Sequence, residues 1–193
     1  QHGAPFVGWK GASMSEVHIE NSYADPSSVS EGTVQPFVRT WSGNDNGLVF
    51  VKNGFYLTTD ALSLSDFHGE PLTQEQFENS EACYLLNGGS TFQCSWFQTI
   101  GEDKYPVLDN QRGIVFCDNG TYFNQSGDDG IIYSAEQMLA SKPDCSAYEQ
   151  YPGYSQELRQ GLEAAIAVAK GAGNAAEKEQ AIAALTDLMN SIK

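Results

Sequence analysis

The chain has 193 residues, 40% hydrophobic and 11% aromatic, enough apolar material for one large or two small packed domains and too much for a disordered chain. Ten Lys plus Arg against 25 Asp plus Glu leave a formal charge of −15, whose field repels phosphate backbones and argues against nucleic acid as a partner. No run of about 18 apolar residues occurs, so no membrane insertion is expected, and Gln1–His2–Gly3 lacks the basic and apolar regions of a signal peptide.

The first third is written twice. Ala4–Pro5–Phe6–Val7–Gly8–Trp9 returns as Gln35–Pro36–Phe37–Val38–Arg39–Thr40–Trp41, and Val17–His18–Ile19–Glu20–Asn21–Ser22–Tyr23 returns as Val49–Phe50–Val51–Lys52–Asn53–Gly54–Phe55. Phe6 to Phe37 is 31 positions and Asn21 to Asn53 is 32, so both lines recur at nearly one period, the mark of a repeat architecture. Val17, Ile19 and Ser22 or Tyr23, with Val49, Val51 and Phe55, alternate as strands with one buried face. Asp25–Pro26–Ser27–Ser28 and Ser42–Gly43–Asn44–Asp45–Asn46–Gly47 supply turns. Strand and turn at constant period predict β-solenoid coils. A coil buries its aliphatic row only against another coil, so two visible coils imply an end cap and further coils upstream of Gln1.

These lines resemble the GLUG-type repeats of large cell-surface proteins of gut anaerobic bacteria, in which a Gly-aromatic-Val-Gly strand precedes an Ile-x-Asn-Cys-Tyr line. Ser22 and Gly54 stand where that family commonly has Cys, and Arg39 stands where the first copy has Gly8, which marks the second coil as degenerate and terminal. The resemblance implies a bacterial surface address.

Past Asp60 the period breaks at Leu62, Leu64 and Phe67. Thr73–Gln74–Glu75–Gln76 is a capping-box signature, so a helix is predicted from there, with Phe77, Ala82 or Cys83, Leu85 and Leu86 on its apolar side and a left-handed stop at Asn87–Gly88–Gly89. Its expected task is to cover the solenoid's open end. The stretch Ser95–Trp96–Phe97–Gln98–Thr99–Ile100–Gly101 and then Tyr105–Pro106–Val107–Leu108–Asp109 is aromatic and broken by turn residues. Ile114–Val115–Phe116–Cys117 and Thr121–Tyr122–Phe123–Asn124 flank Asn119–Gly120, a type I′ hairpin signal. Residues 73–124 are similar to a segment that often follows GLUG-type repeats. That similarity implies architecture and brings no active-site residues.

Between residues 125 and 153, the polar turn Gly127–Asp128–Asp129–Gly130 and the prolines Pro143 and Pro152 predict a linker, with at most a short helix at 135–140. From Ser155 the composition turns to Ala, Leu and Glu. Leu158, Leu162, Ala165, Ile166 and Ala169 share one helical face, Gly171–Ala172–Gly173 ends that helix, and Asn174 with Glu177 caps a second whose inner face is Ile182, Leu185, Met189 and Ile192. This αα-hairpin resembles half of the Ala-rich bundle modules called FIVAR. Two amphipathic helices leave an apolar stripe, to be covered by the β part, a helix beyond Lys193 or another chain.

Chemistry is sparse. Cys83, Cys94, Cys117 and Cys145 are separated by 11, 23 and 28 positions, which fits no zinc spacing. They allow two disulfides in three pairings, but a chain of this length needs no staples, which favours mixed or reduced cysteines. His2, His18 and His68 have no metal-ligand spacing, and His18 is expected to face solvent. Gly11–Ala12–Ser13–Met14–Ser15 is not a nucleophile elbow. No acid recurs at equivalent repeat positions, Glu20 being matched by Lys52, so no catalytic pair is expected. Asn44–Asp45–Asn46 and Asp128–Asp129 offer oxygen atoms suited to calcium without EF-hand spacing, and neither a metal nor another cofactor is expected. The remaining signal is aromatic: Trp9 and Trp41 recur at matched positions and, with Tyr23 and Tyr56, could stack against sugar rings.

The expected fold is mainly β with α: terminal coils of a β-solenoid (β-helix) at 1–72, a capping helix and β-hairpin segment at 73–124, a linker at 125–153 and a helical hairpin at 154–193. The expected function is a non-enzymatic extracellular structural or adhesive module of a larger bacterial surface protein. The alternative is a carbohydrate-binding module accessory to a glycan-degrading enzyme, with ligand residues Trp9, Trp41, Tyr23 and Tyr56. Expected partners are a glycan or a host or bacterial surface protein, beside further domains of the parent protein.

Overall fold

A computed structural model describes residues 2–4, 6–7, 16–28, 33–38, 49–58, 68–125, 127–141 and 155–192. Trp9, Trp41, the segment 11–15, the turn at 42–47, Leu62, Leu64, Phe67, Cys145 and the prolines at 143 and 152 lie outside them. The chain divides into two compact units, Gln1–Asn124 and Gln125–Lys193.

In the first unit, β1 (His2–Gly3) pairs in parallel with β3 (Thr33–Val34), and Val7 bridges Val38 in the same sense. A three-stranded parallel sheet has the order β2 (Val17–Ala24), β4 (Val49–Leu57), β5 (Glu70–Leu72). The two repeated lines lie side by side: Val17 faces Val49, His18 faces Phe50, Glu20 faces Lys52 and Tyr23 faces Phe55. The expected solenoid does not form. Among the described residues the strands make a small α/β arrangement without coil closure. β5 has three residues and β1 and β3 two each, too short to continue three coil faces, and the chain passes into helices directly after β5.

The expected single buried face is also wrong, for a local reason. Asn21 and Asn53 occupy the left-handed region, with φ of 48° and 47°, and the Asn53 amide donates to Asn21 Oδ1 at 2.8 Å. Asn tolerates this conformation better than most L-residues. One such residue in each strand reverses the alternation of side chains, as a bulge does. Before the Asn pair, Val17, Ile19, Val49 and Val51 point inward, to a core of Phe37 and Val38, while His18, Glu20, Phe50 and Lys52 face outward. After it, Ala24 and Tyr56 continue that core, whereas Tyr23, Phe55 and Leu57 turn to the opposite face and meet Leu72, Phe77, Ala82 and Leu86.

Gly54 follows the switch because no side chain fits there: a Cβ would lie 2.1 Å from Val51 Cγ1 and 3.3 Å from the Phe37 ring. We expect Gly54→Val to destabilise the unit by about 1–3 kcal/mol through overpacking. Urea melts followed by near-ultraviolet circular dichroism test this, and a midpoint unchanged from the parent would refute it.

The predicted helix after Thr73 forms in two pieces, α1 (Gln74–Glu78) and α2 (Glu81–Leu86). The capping box at Thr73 and Gln76 is present in both directions. Between the pieces Ser80 adopts φ 72°, which the regular apolar spacing did not reveal, and Asn79 Oδ1 accepts from the Glu81 amide at 2.9 Å. Gly88 and Gly89, at φ 64° and 75°, end α2. The antiparallel hairpin β6 (Ile114–Asp118) and β7 (Thr121–Gln125) turns at Asn119–Gly120, with φ of 48° and 79° as a type I′ turn requires.

In the second unit three helices pack together: α3 (Gly127–Ser141), α4 (Gln156–Gly171) and α5 (Ala175–Ser191). α3 occupies much of the expected linker and supplies Ile132 and Ala135 to a core with Leu162, Ile166, Leu185 and Met189. The missing cover for the α4–α5 stripe therefore comes from a helix upstream. Asp128 and Asp129, which read as a turn, sit in the first turn of α3, where negative charge meets the positive end of the helix dipole. Asp129 pairs with Lys178 at 3.1 Å, and Glu136 pairs with Lys170.

Candidate functional site

The outward face of the β2–β4 pair carries three cross-strand rungs. His18 stacks on Phe50 with ring centroids 4.7 Å apart and an interplanar angle of 19°. Glu20 lies opposite Lys52, and Asn21 accepts from Asn53. The side chains before the Asn switch are exposed: Phe50 is 47% exposed, and His18, as expected, is open to solvent beside Glu16 at 3.1 Å. Among the described residues β2 has a strand partner on one side only and so forms the edge of their sheet.

The second half of β2 is closed by the segment after α2. The Asn87 amide group donates to the carbonyls of Cys83 and Trp96 at 3.1 and 2.8 Å, and its oxygen accepts from the amides of Ser95 and Trp96 at 3.0 and 3.1 Å. This fixes Trp96, whose indole N–H donates to the Asn21 carbonyl at 2.7 Å. Buried Gln98 ties the same segment down by donating to the carbonyls of Phe77 and Asp103 at 2.7 and 3.0 Å.

Tyr23 and Tyr56, expected to offer ring faces to a ligand, are packed instead. Tyr56 is 5% exposed in the core beside Phe37. Tyr23 is enclosed by Phe77, Trp96 and Tyr105, with ring centroids at 5.5, 5.3 and 6.1 Å, and its hydroxyl donates to the Pro106 carbonyl at 3.3 Å. Burial, followed by the Asp25 charge, pushes the Tyr23 hydroxyl above its ordinary range. At Asp25 burial acts upward but is outweighed by hydrogen bonds from Ser27, with help from Tyr105 and Lys104, so its carboxyl titrates below the usual range. Of the four expected ligand residues, Tyr23 and Tyr56 lie within the packing, and Trp9 and Trp41 are outside the described residues. The His18–Phe50 and Glu20–Lys52 rungs were missed as a site; their signal was the pair of repeated lines read position by position across the two copies.

The helical unit holds a cleft of about 360 Å³ lined by Asp129, Tyr133, Glu136, Lys170 and Lys178. Its lysines are matched to its carboxylates, which leaves it little net attraction for a charged ligand. Among the described residues no group of three or more His, Cys, Asp or Glu is placed to hold a metal ion, and no helix is long and apolar enough to cross a membrane.

Cys83, Cys94 and Cys117 are free thiols. Burial pushes Cys94 up to about 11, and its Sγ–H donates to the Ser90 carbonyl at 3.4 Å. Thiolate is the reactive form, so we expect Cys94 in the folded chain to alkylate slowly at pH 8 and about tenfold faster per pH unit up to about 11. Mass spectrometry of iodoacetamide-labelled peptides reads this, and a rate that levels off below pH 9 would contradict it.

No protein-family model, curated protein or solved structure matches the chain.

Proposed function

We propose that the chain is a non-enzymatic, extracellular structural or adhesive module of a larger bacterial surface protein. The observation that carries this reading is the exposed β2–β4 face, where a stacked aromatic pair, two opposite charges and a bonded amide pair lie in register along a strand that has one strand neighbour among the described residues. Such a surface offers backbone groups and shallow side-chain contacts to another polypeptide. The resemblance of the two repeated lines to GLUG-type repeats supports the surface address.

The carbohydrate-binding reading now depends on Trp9 and Trp41, because Tyr23 and Tyr56 are taken up in packing. The two readings separate when the immobilised chain is exposed to a panel of extracellular-matrix and bacterial surface proteins and, in parallel, to a glycan array. Saturable binding to proteins without a glycan signal is expected. A glycan signal alone, lost in Trp9→Ala or Trp41→Ala, transfers the function to the sugar-binding alternative.

A further inference from the structure

We infer that the N-terminal half of the β2 edge is a strand-acceptor site for a basic, extended segment of a partner polypeptide bearing an aromatic residue, a Lys or Arg two positions on and an Asn next. The inference rests on the adhesive reading for its setting and on the geometry of β2 for its chemistry.

The backbone comes first. β2 pairs with β4 on one side and, among the described residues, with no strand on the other, so alternate residues present unpaired N–H and C=O groups outward. In a parallel pairing both groups of one residue point to the same neighbour, so a further parallel strand can take them up. Toward the end of β2 the edge is engaged locally: Ser22 Oγ donates to the Glu20 carbonyl at 2.8 Å and the Trp96 indole to the Asn21 carbonyl. The open stretch is therefore Val17–Ile19, with the Glu20 and Asn21 side chains at its margin.

Side-chain chemistry selects the occupant. β4 shows what stands at matched register beside the exposed β2 side chains: an aromatic ring stacked on His18, a lysine opposite Glu20 that closes no ion pair with it, and an amide bonded to Asn21. On the open side the same three groups can each take a second neighbour. His18 is largely exposed beyond its stack on Phe50, and among the described residues the Glu20 carboxylate has no ion pair and Asn21 Nδ2 no acceptor. Glu16 adds negative charge beside His18, and the whole chain carries −15, which steers a basic segment toward this edge and repels an acidic one. Each cross-strand pair contributes modestly, so the three rungs set register and selectivity while the backbone bonds hold the strand.

The test uses the full chain and a fluorescein-labelled peptide with the residues of β4, Val49–Leu57, which meets all three requirements. Saturable anisotropy is expected, with a scrambled peptide of equal composition inert. N-methylation of alternate peptide residues should abolish binding for one set and leave it within about twofold for the other, since alternate residues face the acceptor. Equal effects of the two sets overturn the inference. Glu20→Lys, an exposed change, should weaken the peptide roughly fivefold, and a peptide with Lys52→Glu should restore it. Absence of that rescue removes the charge rung. Hydrogen exchange should slow at Val17–Ile19 on binding; slowing confined elsewhere, or dimerisation of the chain without peptide, overturns the assignment. Peptide failure with a positive protein panel leaves the adhesive function standing and removes this edge from it, whereas failure of both rejects the function as well.

Discussion

Phe37→Ala is expected to lower the stability of the first unit by about 3–5 kcal/mol, the range for removing a fully buried aromatic ring. Phe37 is 1% exposed and joins the sheet to the Val7–Val38 bridge. Its ring fills the space left by two glycines: a Cβ at Gly69 would lie 2.5 Å from it and one at Gly54 3.3 Å. Phe6 packs against the same ring, with centroids 5.4 Å apart. Truncation leaves a hole among Ile19, Val49 and Tyr56 beside two glycines that have no side chain to move into it. Urea titration read by near-ultraviolet circular dichroism measures the loss, and a change below about 1 kcal/mol would show that the ring is not the centre of this core.

Asn87→Ala is the second large effect, on the order of 3 kcal/mol, because one side chain supplies four hydrogen bonds to backbone groups. Without it the Ser95 and Trp96 amides and the Trp96 carbonyl lose their protein partner, and Trp96 is no longer held against Asn21. Expected readouts are an earlier urea midpoint and a red shift of tryptophan emission under native conditions. Asn87→Asp should fall between, since it keeps the acceptor for two amides and loses the donor to two carbonyls. If Asp and Ala behave alike, the acceptor bonds contribute little and the assignment of Asn87 as the organiser of this segment fails.

What could be read from the sequence was local or repeated. The Thr73 capping box, the Asn119–Gly120 turn and the Asn174 cap depend on residues within a few positions, and all are present. The juxtaposition of Val17 with Val49 followed from two lines written alike. Solenoid closure did not follow, because it depends on strand lengths in layers whose residues do not repeat, and β5 has three residues. The parity change at Asn21 and Asn53 is invisible to hydrophobic alternation, which assumes an unbroken strand; it moved Tyr23 from a supposed binding face into an aromatic cluster. α3 was obscured by Gly127–Asp128–Asp129–Gly130, residues that serve a turn and a helix start equally well. Trp96 and Asn21 are 75 residues apart, and no pattern in either neighbourhood announces their hydrogen bond. Within the candidate site, the exposure of His18 was legible, and its partner Phe50 needed only the repeat alignment.

The paired left-handed asparagines also guard against mistakes during assembly. If β4 slipped by one position along β2, the two strands would reverse their faces at different points, burying a charged residue on one side and stripping an apolar one on the other, while the Asn–Asn bond would be lost. Before the Asn pair both strands alternate an aliphatic residue with a polar or aromatic one, a pattern that by itself also fits a two-residue slip. Asn21 and Asn53 make that slip self-defeating too, so the same pair that divides the strand between two cores also proofreads how the copies align.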